Sequence, residues 1–246
     1  MIGLIKADFY RLRKMKMFYL GMILNIFYVA GMFFLRHAMG NIVSANDYID
    51  IMYRNYTFML PILCFTTTFA TQEFSQKIIY PIVSKGITVG KIYICQAIVS
   101  SLGTTIYCIL GTITGVSLFL YFEQMDIGKE LIWRIVVLFL VETLIHVAYT
   151  FFVLMIIYLV RSGKVSVWIN FTIMIFFPVL LHGIVKSLNT TINLRNLWIG
   201  NVINILEIGR ELQWYYYAVC ISFIYIFICT IVSVVYGNKR DIIGGK

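Results

Sequence analysis

Residues 73–91 read EFSQKIIYPIVSKGITVGK. The stretch is mildly amphipathic, carries Lys77, Lys85 and Lys91, and is flanked by two long apolar runs. It is too charged for a membrane span, and its lysines argue against the outer side of a membrane. It therefore reads as a cytoplasmic connection between two spans, shaped to dock a soluble partner. How the rest of the chain threads follows from that placement.

The composition says what kind of solvent the chain needs. Of 246 residues, 61% are hydrophobic and 13% charged, with a mean hydropathy of +0.88. A soluble domain is about 25% charged. A small soluble fold leaves too much surface exposed to hide this much apolar side chain. Lipid is the expected solvent, and the expected class is an all-α polytopic membrane protein. All five cysteines (Cys64, Cys95, Cys108, Cys220, Cys229) lie in apolar runs without CxxC spacing or a nearby His cluster. They support neither a disulfide framework nor a metal site.

In chain order, residues 1–16 place Ile2, Ile5, Phe9 and Leu12 on one helical face, with Lys6, Arg11, Arg13, Lys14 and Lys16 as the polar complement. Such a basic amphipathic helix lies in the membrane interface with its cations toward headgroups. The apolar run behind it lacks a small-residue cleavage site and reads as a retained span. The expected spans are 17–35, 55–72, 92–121, 135–160, 165–185 and 214–236. Pro61 is expected to kink the second span, with Thr66, Thr67 and Thr68 bonding freed carbonyls. Gly111 and Gly115 form a GxxxG pair, read as helix packing. Residues 123–134 are expected to be a charged loop and 161–164 a tight basic turn. Residues 186–213 mix polar residues with apolar islands, which predicts short helices dipping into the outer leaflet. Residues 237–246 form a basic tail.

With six spans and both termini inside, the inner segments hold thirteen cations and three acids (Asp8, Glu73, Asp241). The outer segments hold seven cations and seven acids. The excess of Lys and Arg falls on one side, as the positive-inside rule requires. The net charge of +9 then needs no nucleic acid to explain it. Trp133 and Trp214 fall at the expected outer boundaries, where an aromatic belt would sit.

Catalytic signatures are sparse. The sequence contains no HExxH and no GxSxG, and Glu142 has no second carboxylate spaced to partner it. GITVGKI at 86–92 has one residue too few between its glycines for a phosphate loop. Ile92 also stands where Ser or Thr would hold magnesium. Glu142 and His146 share a helix face four residues apart inside a span. They are either a polar site on a substrate or proton path or a local pair that stabilises packing.

Three stretches resemble one family. LIKADFYRLRKMK at the start is similar to the basic elbow helix of ABC-2 type permeases, the six-span membrane components of ATP-driven exporters. Glu73-Phe74 … Ile78 … Ile82-Val83 … Lys85-Gly86 … Lys91 resembles that family's first cytoplasmic loop. VVYGNKRDI resembles the last span and its tail, and the dipping segment before that span also matches. Two features depart from the pattern. Gln76-Lys77 stands where many relatives have Gly-Thr, and Pro81 either ends the loop helix or starts a new one.

The resemblance implies a non-catalytic subunit with no cofactor of its own, paired with a second copy or a similar partner. Two separate ATPase subunits, which bind ATP and Mg, would dock on a coupling helix comprising Glu73, Phe74, Gln76, Lys77, Ile78, Tyr80, Pro81, Val83 and Lys85. Lys6, Phe9, Arg11, Arg13 and Lys14 would mark the elbow. The implied substrate is an amphipathic or hydrophobic molecule, most simply a peptide toxin or antimicrobial. The implied place is the cytoplasmic membrane of a bacterium, Gram-positive by its Ile-, Lys- and Asn-rich composition. The alternative is a six-span enzyme or proton-coupled carrier centred on Glu142 and His146.

Overall fold

The computed structural model describes residues 1–39, 59–75, 78–123, 128–188, 197–202 and 212–239, and the described regular structure is helical throughout. The helices are α1 (Ile2–Lys14), α2 (Lys16–Ala38), α3 (Met59–Ser75), α4 (Ile79–Ser84), α5 (Val89–Glu123), α6 (Lys129–Val160), α7 (Gly163–Leu188) and α8 (Leu212–Lys239). Five of them (α2, α5, α6, α7 and α8) are long and apolar enough to cross a membrane. The chain is thus a helical membrane protein of multi-pass type. Between α2 and α5, α3 is described for 17 residues.

The centre of the bundle is α6, which packs against α3, α5, α7 and α8. Beyond its first turns its apolar residues are spread around the whole helix rather than along one face, and such a helix belongs inside. At 35 and 32 residues, α5 and α6 exceed the roughly 20 needed for a hydrocarbon core of about 30 Å. They must tilt or project beyond it. The expected charged loop at 123–134 is correspondingly shorter. Lys129, Glu130, Trp133 and Arg134 belong to the first turns of α6, because no Gly or Pro follows Gly128 there to break the helical pattern.

Between α1 and α2 a single extended residue, Met15, makes the corner, with φ −80° and ψ 113°. Its amide donates to the Leu12 carbonyl at 3.1 Å, and its side chain is buried. Just beyond it, Phe18, Phe65 and Tyr107 form a ring cluster with centroids 5.3 to 5.6 Å apart. The Tyr107 hydroxyl donates to the Phe18 carbonyl at 2.8 Å. Gly21 makes that bond possible, because a Cβ there would collide with the Tyr107 hydroxyl. Inside lipid, apolar burial between helices gains little over contact with acyl chains, so such close packing and buried hydrogen bonds carry the association. Gly103, Tyr107, Gly111 and Gly115 lie along one buried stripe of α5.

The threonines of α3 differ from expectation. Thr67 and Thr68 donate to the carbonyls of Leu63 and Cys64 at 2.6 and 2.7 Å. Those are ordinary bonds one turn back along the helix, not bonds to the carbonyl that Pro61 leaves free. That carbonyl belongs to a residue outside the described set, as does the chain on which a kink at Pro61 depends. At the far end of α6, Arg161 adopts a left-handed conformation, φ 56°, and closes the helix. Its guanidinium donates to the Gly237 carbonyl at 3.1 Å. At the start of α5, the Gly90 amide donates to the Asn238 side chain at 3.0 Å. One of the donors that a helix start leaves open is thereby satisfied.

Most of the dipping segment lies outside the described residues. Its ends, 186–188 and 212–213, belong to α7 and α8, and the other described part, 197–202, is packed into the bundle. Trp198 meets the rings of Phe152 and Phe177 edge-on at 5.4 and 4.8 Å, and the Tyr225 hydroxyl donates to the Leu197 carbonyl at 3.0 Å. Phe152 is eight residues, roughly 12 Å, from the end of α6. Residues 197–202 are therefore set deep between α6, α7 and α8.

Candidate functional site

Where α1 meets the end of α3, three charged groups converge. Arg11 pairs with Asp8 one turn back at 3.0 Å and with Glu73 on α3, both through Nη1. Its Nη2 donates to the Phe69 carbonyl at 3.3 Å, and its guanidinium lies 5.2 Å from the Phe69 ring centre. Asp8 and Glu73 are buried. Charge-assisted bonds of this kind are the strong ones, and the fork of an arginine suits two acceptors at once. A lysine could not make the same set.

The electrostatics are unbalanced. Burial and the charge of Glu73 push the Asp8 carboxyl up to about 7, and Arg11 only partly opposes them. Beneath the cluster, Phe74 and Tyr93 both meet the Tyr158 ring edge-on, at 5.3 and 5.1 Å. The Tyr158 hydroxyl donates to Gln96 Oε1 at 2.9 Å. The charged corner therefore rests on a polar seam between α5 and α6. Deeper along the same seam, Thr104 and Thr150 are hydrogen-bonded at 2.8 Å.

The expected coupling residues separate into two groups. Glu73 and Phe74 belong to the last turn of α3 and point into the bundle, so they cannot also form an outward docking face. Helix α4 carries Tyr80, Pro81 and Val83, with Ile78 at its N-cap. Pro81 starts a new helix rather than ending one. It occupies the third helical position, where its missing N–H falls among donors that are open in any case. Ile79 and Val83 pack inward, while Tyr80, Pro81 and Lys85 are exposed. Gly86 closes the helix at φ +81°, a conformation that glycine adopts without strain. Gln76 and Lys77 lie outside the described residues.

The elbow also departs from expectation. Lys6, Phe9, Arg13 and Lys14 are exposed, but Arg11 turns inward to the two carboxylates. The face against the bundle is Ile5, Asp8, Arg11 and Leu12, while Ile2 and Phe9 of the apolar set stay exposed. The sequence did carry a signal for this. Asp8 is the only acid among five cations in the first sixteen residues, and it stands three residues from Arg11, a spacing that pairs side chains on a helix. The partner Glu73, 62 residues away, had no local signature.

Glu142 and His146 are both buried in α6. His146 Nδ1 donates to the Glu142 carbonyl at 2.7 Å and lies 3.6 Å from Glu142 Oε2. A carbonyl only accepts, so Nδ1 carries the proton. Glu142 Oε2 has no hydrogen-bond partner among the described residues. Among those residues no group of three or more His, Cys, Asp or Glu side chains could hold a metal ion. No protein-family model matches the chain, and no curated protein matches it.

Proposed function

We propose that this chain is the permease subunit of an ATP-driven exporter of the ABC-2 type. In this reading α3 completes a sixth span, both termini are cytoplasmic, and the chain pairs with a second copy. Two separate ATPase subunits, holding ATP and Mg, bind beneath it and drive export of an amphipathic or hydrophobic substrate such as a peptide. The chain has no catalytic role of its own and works in a bacterial cytoplasmic membrane.

One observation carries the reading: the corner where α1 meets the end of α3, with α4 following in the chain. An amphipathic helix is tied by Arg11 to the end of α3. A short helix follows with one face buried through Ile79 and Val83 and the other open at Tyr80, Pro81 and Lys85. A push on α4 reaches the end of α3 within a few residues, and through Arg11 it reaches α1. That geometry suits a lever. The broad uncovered apolar faces of α2 (Leu20, Ile23, Phe27) and α7 (Trp168, Phe176, Val179) leave room for lipid or a second copy.

The test is affinity purification of the chain from its own membranes, wild type and with Lys77 and Lys85 reversed to glutamate. An ATP-hydrolysing subunit copurifies with the wild type and is lost from the variant. A wild-type chain that brings down no ATPase defeats the proposal.

One observation favours the second reading, a proton-coupled carrier or membrane enzyme. Glu142 Oε2 is buried without a hydrogen-bond partner among the described residues, and intramembrane ionisable groups are often functional. Glu142→Gln abolishes activity under that reading and has a modest effect under the first.

A further inference from the structure

The corner of α1 and α3 holds two buried carboxylates against one guanidinium, so with both acids ionised it carries an unmatched negative charge. Glu73 Oε2 has no hydrogen-bond partner among the described residues. Two carboxylates sharing one site cannot both ionise cheaply, and one of them keeps its proton to higher pH. An unpaired charge in a buried place is expensive, whereas a neutral carboxyl is tolerated. We propose that the tie between α1 and α3 is a proton-dependent latch: one proton on the Asp8–Glu73 pair strengthens docking of α1, and loss of that proton as pH rises through neutrality weakens it.

The titratable side chains of α5 and α6 around the cluster supply no second cation, and the one further positive group nearby, the Met1 amino group, acts on Cys95 and forms no ion pair with either carboxylate. From α5 come Cys95 and, through Tyr158, Tyr93; from α6 comes Tyr158 itself. Thiols and phenols of this kind are uncharged near neutral pH. Arg11 remains the cation that both carboxylates touch among the described residues.

The direction of the effect is fixed by the Asp8 carboxyl, pushed up to about 7 from its ordinary 3.8. Between those two values the docked state binds more protons than the undocked state. Docking is therefore strongest below the ordinary value, weakens as pH rises, and levels off above about 7. From pH 6 to pH 8 the docking constant falls about tenfold. This inference does not depend on what the chain transports or which partner drives it.

The experiment is hydrogen exchange of the full chain in lipid nanodiscs at pH 6 and pH 8, corrected for intrinsic rates. Peptides from 2–14 report on α1, and peptides from 145–158 report on the fold as a whole. In the wild type the open fraction of α1 rises about tenfold between the two pH values, while the core peptides do not change. Asp8→Asn keeps the Arg11 contact without the titration and removes the rise. Glu73→Gln leaves a matched Asp8–Arg11 pair and removes it too. Equal α1 protection at both pH values in the wild type overturns the proposal. A tenfold rise that persists in both variants also overturns it.

Discussion

Arg11→Met is the sharpest perturbation of this structure. It keeps the length and apolar stem of the side chain and removes only the guanidinium. Asp8 and Glu73 then face each other with side chains 7% and 2% exposed and no described cation between them. Breaking a buried ion pair by deleting one partner costs about 3–5 kcal/mol. The 22% exposure of Arg11 points to the lower end, about 3 kcal/mol, and the lost contact with the Phe69 ring contributes to the same figure. That corresponds to an open fraction of α1 about a hundredfold larger. Cys95 offers a direct assay, because it is fully buried and its thiol lies 3.9 Å from the Met1 carbonyl. In a variant with Cys95 as the sole cysteine, maleimide labelling at pH 7.5 should be about a hundredfold faster with Arg11→Met. Adding Glu73→Gln should recover part of the protection, because one of the two unpaired carboxylates is then gone. Unchanged labelling, or a double variant as fast as the single, would refute the view that Arg11 holds α1 by neutralising these carboxylates.

Other outcomes follow from the packing and the topology. Tyr107→Phe removes the bond to the Phe18 carbonyl and should lower stability by about 1 kcal/mol in thermal unfolding. Gly21→Ala forces the Tyr107 hydroxyl aside and should cost more, but the two changes should be less than additive, because removing the hydroxyl relieves the collision. Tyr158→Phe leaves Gln96 Oε1 buried without its donor and should cost about 1–3 kcal/mol. A cysteine at Tyr80 should react with an impermeant reagent only from the cytoplasmic side, and a cysteine at Trp133 only from outside. The opposite pattern would invert the orientation.

Much of the architecture was legible because lipid makes simple demands. A chain in hydrocarbon must satisfy its backbone internally, so long apolar runs can only be helices. Helices α2, α5, α6, α7 and α8 accordingly stand where those runs stand. Helix ends were less legible. The charges at Lys129, Glu130 and Arg134 suggested a loop, but charged residues are compatible with helical turns beyond the hydrocarbon. Pro81 left two readings open, since proline both ends helices and begins them, and the residues around it fit either. The site was read only in part. Periodicity put Arg11 on the polar face of a helix, and only the fold brought Glu73 back to it. The sequence marked Glu142 and His146 as neighbours on one helix face, but the proton on Nδ1 and the carbonyl it meets depend on atomic positions.

Docking of an ATPase on α4 is the centre of the proposed function. The most direct test places a photo-crosslinking amino acid at Tyr80, which is 45% exposed, and irradiates intact cells. The account predicts a single major adduct whose captured partner is an ATP-binding subunit, lost when Lys85 is reversed to glutamate. Capture of no such subunit from Tyr80, or equal capture from Trp133, which the proposed orientation places outside, would contradict it.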